Sequence, residues 1–316
     1  MIYLLLTILC TTAIFIIFKL FERFRIDPLQ AIVVNYIIAS CVGFSLDDSN
    51  TSFEAIPYQN WFLFALIAGM SFIFMFYVAA ITTQKRGISI VSVASKTSLV
   101  IPVVFAFFLY GDSMPLIKIA GIVLALIAIY LTFMPASHSL PETSQLSSDS
   151  IRINQINGKG VNTNHSGWGL NGKLILFPII LFVGTGLLDT LFKYIGHRFL
   201  GENDINLFVT SLFLIAAFTG IIVIIVILIT SKKQLQFKNI PGGIVLGIAN
   251  YGSLYFFIRT LEIDNLESSI IFPINNMGII SLSAICAFLL FKERLTKTNW
   301  IGIALSIIAI AMISFA

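Results

Sequence analysis

Charge is the first thing this sequence has little of. Asp, Glu, Lys and Arg make up 11% of its 316 residues, where an average soluble domain has about 25%. A chain so poor in charge cannot clothe a water-facing surface, which excludes an ordinary soluble enzyme. The net charge of +4 is small, and the basic residues stand in short clusters between apolar runs, a pattern that orients helices in a bilayer and does not suggest nucleic acid. Cysteine is also scarce. Cys10, Cys41 and Cys286 all lie in apolar segments without metal-ligand or redox spacing, so they read as small packing residues. His138 and His165 fall in a polar stretch and read as solvated. There is no nucleophile elbow, no phosphate-binding glycine loop, no HExxH and no paired cysteine. No enzyme activity, cofactor or metal is expected.

What is present is apolar sequence in long runs: 58% of the residues are hydrophobic and the mean hydropathy is +0.97. A span needs about 20 mostly apolar residues, and segments near 2–20, 28–46, 61–82, 88–110, 115–134, 172–195, 205–230, 240–260, 266–291 and 298–315 meet that length. These ten predict an all-α integral membrane protein. The first run has no basic residue ahead of it and reaches Lys19, so it reads as a membrane helix and not as a signal peptide. Pro28 and Pro115 sit where first-turn prolines are tolerated, and Asn265, Glu267 and Ser268 offer cap chemistry for the ninth span. Residues 135–170 turn to Ser, Asn, Gly and Thr, with too little apolar surface to fold alone, and read as a flexible linker.

The two sides of that linker resemble each other. LYGDSMPLIKIAGIVLALIAIYL, from Leu109 to Leu131, superimposes without a gap on LFKERLTKTNWIGIALSIIAIAM, from Leu290 to Met312, pairing Asp112 with Glu293 and Gly121 with Gly302. At the same offset Ile88–Tyr110 lies on Ser269–Phe291. With a small shift Gly69 and Tyr77 fall on Gly247 and Tyr255, and Phe18-Lys19 echoes Phe192-Lys193. Residues 1–134 and 171–316 are thus two five-helix repeats. Five is odd, so halves that fold alike must enter the membrane from opposite sides, giving inverted repeats. Outside the spans, only Lys118, Lys193, Arg198 and Arg259 fall in one set of loops, and every other Lys and Arg falls in the other. The positive-inside rule then predicts a multi-pass cell (inner) membrane protein with both termini away from the cytoplasm.

With ten spans, a 5+5 repeat, the Phe-Lys close of the first and sixth spans, and Phe291-Lys292-Glu293-Arg294-Leu295 followed by Trp300-Ile301-Gly302, the chain resembles the EamA-type carriers of the drug/metabolite transporter superfamily. The resemblance implies a secondary carrier, often an exporter of amino acids or other small metabolites, with its cavity between the halves. Such carriers commonly keep their termini cytoplasmic and a basic loop after the second span. Here that loop carries Asp47, Asp48 and Glu54, and the charge distribution favours an inverted orientation.

Lys96 is the sharpest residue: near the centre of the fourth span an ionised side chain costs at least about 2.5–3.5 kcal/mol, so it should face a cavity or a partner. Ser89, Ser92 and Lys96 share one helical stripe with Ser95 beside it, suiting a carboxylate-bearing substrate. Asp189, in GTGLLDTLFKY, is the candidate proton carrier; its alternatives are an ion pair with Lys96 or with Lys193 one turn on. Asn275 and Asn276 follow Pro273, which frees a backbone carbonyl. At the repeat offset Asn276 falls on Ser95 and Lys96 on Met277, making a cavity symmetric in shape and asymmetric in charge. Asn250, Tyr251 and Tyr255 complete the expected substrate site; Thr7, Thr11, Asn35, Ser71 and Tyr77 are further polar positions within spans. Gly69, Gly121, Gly247 and Gly302 are expected at close helix contacts, and the 29 phenylalanines distinguish nothing. The expected function is secondary export of a small polar metabolite by alternating access, with protons as a candidate coupling ion and a monomer or homodimer in the lipid bilayer. Its competitors are a lipid or lipid-linked sugar translocator and a membrane sensor or interaction protein.

Overall fold

A computed structural model describes residues 2–46, 53–110, 115–133, 172–199, 205–231, 234–261, 268–293 and 295–315. The 135–170 linker lies outside them, as do Asp47, Asp48, Asp112, Asn265, Glu267 and Arg294. The described residues form helices with no strand: α1 (Ile2–Arg23), α2 (Pro28–Ser45), a short 3₁₀ turn (Phe53–Tyr58), α3 (Phe62–Arg86), α4 (Ile88–Thr97), α5 (Val100–Tyr110), α6 (Leu116–Phe133), α7 (Gly172–Arg198), α8 (Ile205–Thr230), α9 (Asn239–Leu261), α10 (Ser268–Phe291) and α11 (Lys297–Ser314). Ten segments are long and apolar enough to cross a membrane, one of them running through α4 and α5 together. The fourth span is therefore not the single continuous helix that its hydropathy suggests. It breaks at Ser98-Leu99, two residues beyond Lys96.

Local chemistry explains the helix starts. The Asp27 carboxylate accepts from Leu29 N–H and Gln30 N–H with Pro28 in the first turn, where its missing N–H costs nothing. Thr296 and Asn299 form a reciprocal capping box on α11, and the Asn299 amide also donates to Thr132 O at 2.9 Å. One residue pair thus starts α11 and ties it to the end of α6.

The helices pack in a pattern that maps onto itself when the halves are exchanged. α6 lies along α11, α2 along α8 and α4 along α10; α2–α9 answers α3–α8, and α1–α9 answers α3–α7. Several pairs break the correspondence: among the described residues α2 packs on α3 while α8 and α9 make no comparable contact. α1 packs on α3, whereas among the described residues α7 and α9 make no comparable contact.

The four glycines singled out in the sequence all sit where another helix presses close. An added Cβ would stand 2.8 Å from Ile215 Cβ at Gly69, 2.9 Å from Ile313 at Gly121, and 2.9 Å from Asn35 O at Gly247. Gly302 is the tightest, with Thr132 N at 2.7 Å and Ala128 O at 2.9 Å, backbone atoms that cannot swing aside. Gly302→Val is expected to part α6 from α11 and to cost about 1–3 kcal/mol. A thermal-shift measurement on the purified protein should show a midpoint several degrees lower; an unchanged midpoint would mean that this contact contributes nothing.

Candidate functional site

α1, α3, α4, α7 and α9 enclose a cavity of about 220 Å³. Each helix contributes a stripe at helical spacing. Thr11, Ile14, Phe15 and Phe18 come from α1, and Phe72, Met75, Phe76 and Ala79 from α3; Leu181, Thr185, Leu188, Asp189 and Phe192 come from α7. α4 supplies Ser95 and Lys96, and α9 supplies Asn250 and Ser253. Most of the wall is aromatic or aliphatic, and its polar groups are few, the composition usual for small-molecule sites.

Lys96 and Asp189 come from opposite halves of the chain and line the same cavity, and each feels the other's charge. They do not touch: neither forms an ion pair or a hydrogen bond among the described residues. Asp189 is enclosed by helices at mid-depth yet exposed, because its surface faces the open interior of the cavity, while Lys96 is half-buried. An ammonium and a carboxylate held apart across a largely apolar space are each one partner short. Between apolar walls the attraction for a bound opposite charge is much stronger than in water.

Asn250 is held in place by a bond from its Nδ2 to Asn35 Oδ1 at 3.2 Å, leaving its carbonyl for the cavity. Ser95 and Ser253 lie on the wall, the latter donating to Asn250 O at 2.8 Å. The other sequence candidates are elsewhere. Ser92 is buried and donates to Ser89 O at 2.9 Å. Asn275 is buried in α10 with its Oδ1 unpartnered, and Asn276 is half-buried beside it. Tyr251 and Tyr255 stack at 6.1 Å between centroids, and the Tyr255 hydroxyl accepts from Arg259 Nε at 3.3 Å. None of these five lines the cavity.

The phenylalanines are what the sequence reading left out. Phe15, Phe18, Phe72, Phe76 and Phe192 form much of the wall, with Phe18 on Phe76 and Phe72 on Phe192 in ring contact. A signal existed: Phe192 lies on the stripe of Thr185 and Asp189, and Phe15 and Phe18 on that of Thr11.

Helices are tied together at one end of the cavity. At the basic-loop end Lys19 Nζ donates to Gln84 O at 3.1 Å and Gln84 Nε2 to Phe18 O at 3.4 Å, tying α1 to α3. Arg86 donates to Phe133 O at 2.6 Å, and Ile88 N–H to Glu293 Oε1 at 2.8 Å. Among the described residues α7 and α9 do not pack on each other as α1 and α3 do.

Comparison with known proteins agrees with this architecture. Residues 1–134 match the EamA-like transporter family. An uncharacterized protein of Haemophilus influenzae is 28% identical over 309 residues, covering 96% of this chain and 94% of its own length. A crystal structure of 12% sequence identity superimposes with a TM-score of 0.52 over 98% of this chain and 97% of its own, a likeness of fold.

Proposed function

We propose, from the match of residues 1–134 to the EamA-like transporter family, that this chain is a secondary exporter of a small polar metabolite such as an amino acid. The observation that carries the reading is the unjoined pair: Lys96 and Asp189 present opposite charges to one cavity of about 220 Å³ without neutralising each other by contact. A solute with its own carboxylate and ammonium supplies both missing partners. The volume suits a small metabolite. Asp189 is also the proposed proton carrier, since a carboxyl between substrate, proton and Lys96 can hold only one of them at a time. Alternating access would exchange the roles of two inverted halves, with the α7–α9 end opening when the α1–α3 end shuts.

Orientation follows from charge. The basic-loop end is proposed to face the cytoplasm, so that the conformation described here opens outward. A cysteine in place of the exposed Lys238 that reacts with an impermeant reagent from outside the cell would overturn this orientation.

The direct test is purified protein in liposomes with a trapped pH dye, challenged with amino acids, nucleosides and other small metabolites. Proton movement driven by one class of zwitterionic solute is the expected result. If no solute drives proton movement and none crosses the bilayer under its own gradient, the carrier reading fails.

A further inference from the structure

Among the contacts at the basic-loop end is one made by a carboxylate that does not line the cavity itself. Glu293, in the turn between α10 and α11, sets Oε1 2.8 Å from the N–H of Ile88, the first residue of α4. The backbone N–H and hydroxyl of Ser89 lie close enough to favour its charge, although the hydroxyl itself closes no hydrogen bond. Burial pushes the Glu293 carboxyl above the usual carboxylate range, while the Ile88 N–H, the Lys19 ammonium and Ser89 draw it back.

The turn that receives this carboxylate is shaped for it. Gly87 has φ +98°, a conformation that L side chains rarely adopt, and a Cβ there would stand 2.5 Å from Glu293 Oε2. The same Lys19 bonds Gln84 O at 3.1 Å and Glu22 at 3.1 Å. Elements from both halves of the chain therefore converge here: α1, the end of α3, the start of α4, and the α10–α11 turn. A carboxylate on the first N–H groups of a helix gains from charge-assisted bonding and from the helix dipole. That gain exists only while the two turns touch.

We infer that Glu293 is a conformational latch: its carboxylate on the Gly87–Ser89 turn holds the basic-loop end of the cavity closed, and that end opens when the carboxylate leaves α4. Lys96 sits on the same short helix, two turns further on, so releasing the latch frees the element that carries one charge of the site. The latch rests on the proposed alternating access for its purpose, but its test reads accessibility and needs no substrate. A wrong substrate assignment would leave the result standing.

The probe is Ala79→Cys, a small residue on the α3 wall of the cavity, in a background with Cys10, Cys41 and Cys286 changed to Ala. A membrane-impermeant maleimide is applied separately to each face of membrane vesicles. With Glu293 intact, labelling is expected from the face opposite the basic loops and slow from the basic-loop face. Glu293→Ala is expected to raise the basic-loop-face rate about tenfold, the size of a lost charge-assisted bond, and Gly87→Ala to act in the same direction by displacing the carboxylate. Retained labelling from the opposite face shows that the fold is intact. If Glu293→Ala disturbs the fold, Glu293→Gln, which keeps the shape and loses the charge, decides, with an expected rise of about threefold. A basic-loop-face rate unchanged in the folded variants would overturn the latch.

Discussion

Asp189→Asn is expected to abolish substrate-driven proton movement, with a fall of about 100-fold in liposomes holding a trapped pH dye. Asparagine keeps the size and much of the hydrogen bonding of aspartate but can neither bind nor release a proton in the accessible range. Solute-for-solute exchange without a pH gradient should survive better than net coupled flux, because it needs the cavity to reorient loaded and does not need a titrating group. The location of Asp189 supports this split: it is exposed to the cavity and meets Lys96 only through space. Proton movement at the normal rate in Asp189→Asn would remove Asp189 from the coupling step.

Lys96→Met is expected to weaken substrate binding by about 100-fold, in the range measured when one member of a desolvated charge pair is removed. Methionine is the informative replacement because Met277 occupies the matching position in the second half, so the bundle already tolerates it at that depth. Binding is read by calorimetry on the purified protein, with substrate esters beside free acids. The ester should bind poorly to the natural protein and be discriminated no further in Lys96→Met, since the group that reads the carboxylate is then gone. The pair Lys96→Met with Asp189→Asn should lose less than the sum of the single losses, as expected of residues that sense each other. Unaltered affinity in Lys96→Met would make the lysine structural and direct attention to Asn250.

The spans were legible because the bilayer requires uninterrupted apolar length, a demand that composition records directly. Hydropathy could not see the break at Ser98-Leu99, because Val100 resumes the apolar run at once and only backbone geometry separates α4 from α5. Within the site, the sequence revealed Lys96, Asp189, Ser95 and Asn250 as groups too polar to meet lipid. It could not rank Asn275 against Asn250, because both are amides at plausible depth and only the packing of neighbouring helices sends one to the wall and buries the other. Phe15, Phe72 and Phe192 were silent for a related reason. Phenylalanine is equally at home against lipid and against substrate, and which it meets depends on partners distant in sequence. Glu293 was visible as the acid of a repeated turn, but its contact with Ile88 spans 205 positions along the chain and belongs to tertiary structure.

The broken correspondence between α1–α3 and α7–α9 has a consequence for how this molecule spends its time. Two halves with identical sequences would give end states related by a two-fold rotation and equal in energy, and an empty carrier would divide its time evenly between them. Here the halves differ: one presents Lys96 where the other presents Met277, and Lys19, Gln84 and Glu293 tie helices at one end, while among the described residues α7 and α9 do not pack as α1 and α3 do. Under the proposed alternating access the two end states are then unequal in energy, and the bonds of Lys19, Gln84 and Glu293 would have to break before the tied end could open.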